Sequence, residues 1–362
     1  MMCVRRTRCS RRLRSPRGFR SSNGFVGTLL IASPGKGPDA SAGYLPDGGE
    51  VAENRADPEA FIFPPSIRPA MPGVELVPLE TSDAEAYWRA FLAGRTDVPS
   101  TDVKVHMDRY LALPPEEQRT YFALKESGRT VGTVRIAGGS IGSFSLLPEE
   151  RRWTRDAILL ATSSVIQGGT DRIVAGFEDA YGPEFEALGF KESFSRVRME
   201  SAAAKRDPPA VPMAHPEVTD VDAIVAFLMG VYEGHIEQQF GMHVGTEAEW
   251  REYVTGIWKG DSGGYLPRAS WATKDDAGLA GVALTTEWMG FPLLAELGVR
   301  KDRRGQGLGR ALVLATLGAL ADLAHDRLAL YVTVGNDPAM ALYKGLGFRE
   351  IGGRTVTAVR EL

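Results

Sequence analysis

The sequence predicts an α+β fold in which one unit of strands and helices occurs twice behind a long basic arm. Three observations carry this. Residues 73–200 and 215–362 show the same order of helix-like and strand-like periods, and a stretch at 201–214 with three prolines separates them. Matching landmarks recur at similar offsets: Arg303 stands 152 residues beyond Arg151, and Gly347 stands 158 beyond Gly189. Recurrence of a whole order of elements marks an internal duplication, and 362 residues suit two domains rather than one.

In the first unit, Val74 to Leu79 reads as a strand, and Ser82-Asp83-Ala84-Glu85 has capping-box spacing ahead of a helix through Tyr87, Trp88, Phe91 and Leu92. Strands are expected at Tyr121 to Lys125 and Thr130 to Ile136, joined by a turn at Glu126-Ser127-Gly128-Arg129. A strand at Ser143 to Leu147 leads to a helix at Thr154 to Ile166, a strand at Arg172 to Phe177, a short helix ending in Leu188-Gly189-Phe190, and a strand at Ser195 to Met199. In the second unit, Thr219 with Asp222 and Thr246 with Glu249 are expected to cap two helices. Strands follow at Ser270 to Thr273, Leu279 to Thr285 and Pro292 to Val299, then a helix from Gly305–Gly309 to about Ala324. The unit closes with a strand at Leu328 to Val334, a helix from Pro338 to Leu346-Gly347-Phe348, and a strand at Thr355 to Arg360.

Composition excludes several classes. At 43% hydrophobic and 24% charged residues the chain is ordinary globular, with no run of about 18 apolar residues. Cys3 and Cys9 are the only cysteines, so the body has neither a disulfide framework nor a thiolate metal site. The five histidines include no zinc-protease pair, and no metal is expected. Residues 1–20 carry eight arginines and no acid; without them 34 bases face 46 acids, a balance of −12. An acidic body disfavours nucleic acid and favours cationic or amine ligands. The arm, residues 1–72, lacks sustained periodicity and reads as disordered. It is a plain tail, a targeting signal built on Arg11 and Arg12, or sequence ahead of a start at Met71.

The sharpest segment runs from Leu297 through Arg304-Gly305-Gln306-Gly307-Leu308-Gly309-Arg310, between a strand and a helix. Residues without side chains there let backbone N–H groups converge on an anion at the positive end of the helix. A Walker lysine and its Ser/Thr are absent, which removes the P-loop reading. Some thirty residues on stands Asn336-Asp337-Pro338-Ala339-Met340-Ala341-Leu342-Tyr343, followed by Gly347-Phe348, a cluster no dinucleotide fold requires.

Together these segments resemble the GNAT superfamily of acetyl-CoA-dependent N-acetyltransferases, whose patterns are Arg/Gln-x-x-Gly-x-Gly/Ala and Asn-x-x-Ala-x-x-Leu-Tyr-x-x-x-Gly-Phe. The resemblance implies two tandem GNAT folds, each a mixed, mostly antiparallel sheet flanked by helices. It implies that Arg304, Gly305, Gln306, Gly307, Leu308, Gly309 and Arg310 cradle the CoA pyrophosphate, that the strand edge at Leu297 and Val299 pairs with pantetheine, and that Asn336 binds the pantetheine side. Tyr343 would protonate the leaving thiolate, or only pack. Glu296 is the first expectation for the base, with Glu287 or a water chain as alternatives and Tyr331 at the place where some relatives carry a glutamate.

In register, Trp153, Arg155 and Ala157 replace Gly305, Gly307 and Gly309, while Phe185 replaces Tyr343 and Glu178 replaces Asn336. The first unit is therefore expected to be a degenerate GNAT fold. Such a tandem is similar to the plan of the mycothiol synthase family, which carries a glutamate where Leu293 stands here. The expected activity is acetyl transfer from acetyl-CoA to a primary amine on a small molecule, peptide or protein, with residues 215–362 as the catalytic domain. The helical stretch with Tyr232, Glu233, His235 and Glu237 would wall the acceptor. The expected setting is a cytoplasmic monomer or homodimer without nucleic-acid or membrane partners. The rival is a non-catalytic acetyl-CoA-binding sensor or scaffold.

Overall fold

A computed structural model describes residues 73–98, 102–205, 207 and 211–362. The expectations for the arm fall outside the described residues. The first half runs β1 (Glu75–Pro78), α1 (Ala84–Ala93), α2 (Val103–Leu111), α3 (Pro115–Gln118), β2 (Tyr121–Glu126), β3 (Arg129–Ala137), β4 (Ser140–Leu146), α4 (Thr154–Gln167), β5 (Arg172–Glu178), α5 (Gly182–Ala187) and β6 (Lys191–Ala202). The second runs α6 (Val221–Tyr232), a 3-10 turn at Ile236–Phe240, α7 (Glu247–Lys259), β7 (Gly264–Tyr265), β8 (Trp271–Asp275), β9 (Gly278–Trp288), β10 (Phe291–Val299), α8 (Leu308–Asp322), β11 (Arg327–Thr333), α9 (Asp337–Gly345), β12 (Arg349–Glu350) and β13 (Thr355–Glu361).

Local chemistry explains most of these boundaries. Thr246 and Glu249 form the reciprocal capping box the sequence announces for α7. The other two caps differ from expectation. Ser82, the expected cap, lies inside a 3-10 turn at Thr81–Asp83, and Asp83 at the start of α1 makes no cap bond, its carboxylate taking Lys125 Nζ at 2.7 Å. Ahead of α6 the box is made two residues earlier, by Glu217 and Asp220. Helices α2 and α3 fall in the stretch between the first helix and β2, where the sequence shows no clear period.

All the strands join one sheet in the order β1-β2-β3-β4-β5-β13-β6-β11-β10-β9-β7, with β8 on β9 and β12 on β6. The last strands of the two halves change places. β6 lies antiparallel to β11, Arg196 opposite Thr333, and β13 lies antiparallel to β5, Val356 opposite Phe177. Each half thus closes the other's sheet edge, which would otherwise present unpaired backbone groups.

Alternation along β9 assigns the second half's helices to two faces. Ala283 packs with Leu312, Leu317 and Phe348 beneath α8 and α9. Val282 and Leu284 pack with Ile224, Leu228, Trp250 and Val254 beneath α6 and α7. The first half keeps a separate core around Phe144, Ile158, Phe177 and Phe185.

Candidate active site

Strands β10 and β11 run parallel but pair at a single position, Leu293 with Ala329, and then separate. β10 also carries a register shift between Leu294 and Glu296. A bulge there bends the strand and re-aims the side chain that follows it. The Arg300 N–H bonds Ala280 O on β9 at 3.0 Å. By the alternation of antiparallel ladders, the backbone groups of Leu297 and Val299 face the opposite, open edge. The Val299 carbonyl accepts Arg304 Nε at 3.2 Å there, and its N–H shares that side.

Below the wedge lies the glycine loop. Gly305 (φ +74°) and Gly307 (φ +82°) adopt left-handed backbone that L side chains rarely hold, and an added Cβ at either would meet no heavy atom within 4 Å. The loop opens directly into the 15-residue α8, whose first N–H groups have no intrahelical acceptor. Leu308 is buried, and a Cβ on Gly309 would already touch Leu342 and Val299 side chains at 3.4 and 3.5 Å. The polar side chains of the loop are turned back on the protein: Arg304 Nη2 bonds Val231 O at 3.0 Å, Gln306 Nε2 bonds Asp302 O at 3.0 Å, and Arg310 Nη1 bonds Gly345 O at 3.2 Å. The loop thus offers an anion its backbone N–H groups, with the exposed guanidinium groups of Arg304 and Arg310 tethered to carbonyls beside them.

A cavity of about 240 Å³ adjoins the loop, lined by His235, Lys301, Arg304, Gly335 and Asn336 among others. Asn336 caps α9, accepting the Ala339 N–H at 3.4 Å, and its Nδ2 lies 3.4 Å from His235 Nε2. Burial depresses the His235 imidazole, the Glu237 charge partly opposing and His243 and Arg304 adding to it.

Two polar groups enter the wedge from opposite faces of the sheet. From α9 comes Tyr343, 8% exposed, whose phenol is held protonated by burial and by the charges of Glu296 and Glu237. From the other face comes Glu296, 4% exposed, with Tyr232 Oη donating to Oε2 at 2.9 Å and Tyr253 Oη donating to Oε1 at 2.6 Å. Burial raises the Glu296 carboxyl; His243 and the two phenols pull it back in part, while Glu237 adds to the rise. Glu237 itself is buried, bonded by Thr333 Oγ1 and by His243 Nε2 at 2.9 Å. Burial alone would raise its carboxyl, yet the His243 hydrogen bond and the charges of Arg196 and His243, with the Thr333 hydroxyl, bring it down to about 2. Glu287 is exposed at the hairpin end of β9, and Tyr331 directs its hydroxyl to Asp97 O at 3.5 Å.

The corresponding wedge of the first half is filled from within. β4 and β5 also pair in parallel at two positions only, Ser140 with Val174 and Ile141 with Ala175. The Leu146 N–H, however, is taken by Tyr181 Oη at 2.9 Å. The end of α1 lies across the same edge: a Cβ on Gly94 would stand 2.1 Å from Leu146 O, and Arg95, paired with Asp97, bonds Phe144 O at 3.3 Å. Phe185, in the register of Tyr343, stacks on Phe177 at 3.9 Å, and Glu178, in the register of Asn336, is occupied by Thr96.

Residues 235–348 match the Acetyltransferase (GNAT) family. Over that stretch the second half is similar to that family. A mycothiol acetyltransferase of Clavibacter sepedonicus is 30% identical over 169 residues, which is 46% of this chain and 51% of that one. A mycothiol acetyltransferase of Thermobispora bispora is 48% identical over 52 residues, 14% of this chain and 18% of the relative. The chain thus spans about half the length, or less, of these relatives. Among solved structures, a GCN5-related N-acetyltransferase from Sphaerobacter thermophilus superposes with a TM-score of 0.62 at 15% identity, covering 80% of this chain and 95% of that one. A tandem GNAT protein from the clavulanic acid biosynthesis pathway gives 0.56 at 18% identity, covering 80% and 98%. These two show the fold, two GNAT-like units in tandem.

Of the residues the sequence singles out, Glu296 and Tyr343 are both buried, and Tyr232, Glu233, His235 and Glu237 lie at or just after the end of α6. The sequence missed Tyr253, His243 and Arg196. Tyr253 lies three residues beyond Trp250 on α7, a spacing that places both on one helix face. His243 stands in the sequence only as one of five histidines, with no spacing that ties it to Glu237 or Tyr232. Arg196 belongs to the first half and reaches the site only through the exchanged strand.

Proposed function

We propose that the second half transfers an acetyl group from acetyl-CoA directly to a primary amine. The observation that supports this most is the contrast between the two wedges: one parallel strand pair is plugged by Tyr181 and the end of α1, while the other leaves the Val299 edge, the glycine loop and a 240 Å³ cavity together. Three features suit a pantetheine-linked diphosphate there. The left-handed Gly305 and Gly307 leave backbone space, α8 presents its N-terminus, and Lys301, Arg304 and Asn336 line the cavity.

When bound, acetyl-CoA supplies an activated acetyl thioester. The Val299 N–H, fixed by β10, is the donor for negative charge gathering on the carbonyl oxygen. Tyr343, kept protonated at neutral pH, gives its proton to the departing sulfur. Glu296 withdraws the proton of the incoming ammonium through a phenol: the oxygen of Tyr232 or Tyr253 takes the N–H proton as its own O–H proton passes to the carboxylate. The remaining N–H proton restores Tyr343, so one proton is released overall. The acceptor is a small molecule or a peptide or protein amine, and the likeness to mycothiol acetyltransferases puts their acceptor amine first in order of trial.

The test is acetyl-CoA consumption by the full chain across mycothiol-type amines, amino sugars, small cationic amines and peptide amines. Turnover with one class, abolished together by Gly307→Val and Tyr343→Phe, supports the reading. Tight acetyl-CoA binding without turnover on any amine would identify a sensor or scaffold instead.

A further inference from the structure

Arg196 is a residue of the first half that touches the acidic cluster of the second. It stands on β6 opposite Thr333 of β11, with a side chain 17% exposed. Its Nε lies 3.4 Å from Thr333 Oγ1, its Nη2 lies 3.7 Å from Glu237 Oε1, and Nη2 also meets Met242 Sδ at 2.8 Å. Next to it on the same strand, Phe194 packs its ring 5.3 Å from Phe240. β6 therefore grips the 236–243 segment at three places: Glu237, Phe240 and Met242.

That grip ends on a strained residue. His243 has φ +56°, a left-handed conformation costing a non-glycine residue of order 1 kcal/mol. It is held there by the 2.9 Å bond from Nε2 to Glu237 and by stacking, 3.8 Å between centroids and 15° between planes, on Tyr232. Trp250 lies stacked 5.5 Å from each of the two rings. Tyr232 in turn donates to Glu296 Oε2. An uninterrupted run of contacts thus leads from the first half to the buried carboxylate of the second.

We propose that Arg196 is a positioning residue for proton removal in the second half: it fixes Glu237, Glu237 fixes His243, and His243 holds the Tyr232 phenol on Glu296. The proposal rests on the acetyl-transfer reading and selects Tyr232, rather than Tyr253, as the phenol that passes the proton. It also gives the first half a role besides packing, because the strand it lends carries the first link. The groups facing the pair are Arg196 from β6, Thr333 from β11, His235 from the 3-10 turn, Tyr232 from α6, Tyr253 and Trp250 from α7 and Glu296 from β10.

The experiment compares Arg196→Gln and Arg196→Lys with the unaltered full chain. Carbon-detected NMR on 13C-glutamate-labelled protein follows the Glu237 carboxyl, whose midpoint starts at about 2. Arg196→Gln should move it toward the ordinary carboxylate range by about one unit or more, and Arg196→Lys by less. Acetyl-CoA affinity by calorimetry should stay within about twofold. With the best amine of the screen, Arg196→Gln should lower kcat about tenfold or more, change the amine KM less than about threefold, and move the acid limb of the kcat profile; Arg196→Lys should restore a third or more of the lost rate. An Arg196→Gln kcat within about twofold of the unaltered chain, a kcat loss that tracks lost cofactor affinity or melting temperature, or no return with lysine overturns the proposal. If the unaltered chain acetylates no amine, the acetyl-transfer reading falls on that result alone. The Glu237 midpoint then decides the link: unmoved by Arg196→Gln, Arg196 does not fix Glu237; moved, the link stands.

Discussion

Tyr343 and Glu237 are the two side chains whose environments make the clearest demands. Tyr343 is buried with its phenol held protonated, the state a proton donor needs. Tyr343→Phe keeps the ring that packs against Phe348. It should leave the fold and acetyl-CoA affinity nearly unchanged while lowering turnover roughly 10²–10⁴-fold. A fall below about threefold in steady-state kinetics would make Tyr343 a packing residue only. Glu237 has the opposite electrostatic sense. Its carboxyl is lowered from 4.5 to about 2, so its stabilising contribution is complete above pH 4.5 and disappears as pH falls through about 2. The shift corresponds to about 3 kcal/mol at neutral pH. Glu237→Gln should therefore lose stability of that order at pH 7, with the deficit relative to the unaltered chain closing as the solution is acidified, measured by urea unfolding at several pH values. At this scale the sequence exposed the candidates marked by type and spacing within one segment, such as Tyr343 seven beyond Asn336. It concealed Arg196, His243 and Tyr253, whose roles depend on contacts between segments far apart in the chain.

Among the elements, the glycine loop and the plugged edge of β4 are two outcomes of the same strand pair. Gly307→Val places a β-branched side chain at φ +82°, which should cost about 1–2 kcal/mol of stability while clashing with nothing in the protein. What it should remove is the space an anion needs, so calorimetry should show acetyl-CoA affinity falling about tenfold or more, a loss of at least 1.4 kcal/mol. The same titration of the unaltered chain should give one site, because Tyr181 and Gly94 occupy the edge of β4 that a second molecule would need. A stoichiometry near two, or binding that survives the valine, contradicts this. Strands and long helices were legible because period and turn chemistry agree, as in the Ser127-Gly128 turn, where both residues take positive φ. The caps of α1 and α6 were misplaced because Asp83, Glu217 and Asp220 had partners that spacing does not reveal. The substitution of Gly305, Gly307 and Gly309 by Trp153, Arg155 and Ala157 marked the first loop as altered, but it did not show that α1 bends over to fill the wedge.

For the whole molecule, the exchange of β6 and β13 decides what the two halves can do apart. Without β6, β11 would expose a seven-residue edge that now pairs from Arg327 to Thr333, and the acidic cluster would lose Arg196. Without β13, β5 would expose an edge that pairs over seven residues from Thr355 to Glu361. Long apolar edges of this kind recruit other strands, so isolated halves should associate nonspecifically. Of the described residues between the halves, the Ala203 N–H bonds Asp326 O and Ala214 bridges to Ala272. Separating the chain there removes a covalent link and leaves both exchanged strands with their partners. Co-expression of residues 73–205 and 206–362 as separate polypeptides should therefore give a one-to-one complex with one acetyl-CoA site, seen by gel filtration with light scattering and by calorimetry. Residues 206–362 produced alone should aggregate, or bind acetyl-CoA about tenfold more weakly or worse, since β11, one wall of the wedge, would lack its neighbour. If 206–362 instead remains a monomer with the affinity of the full chain, the exchanged strand is not required to build the site, and the second half is an independent folding unit.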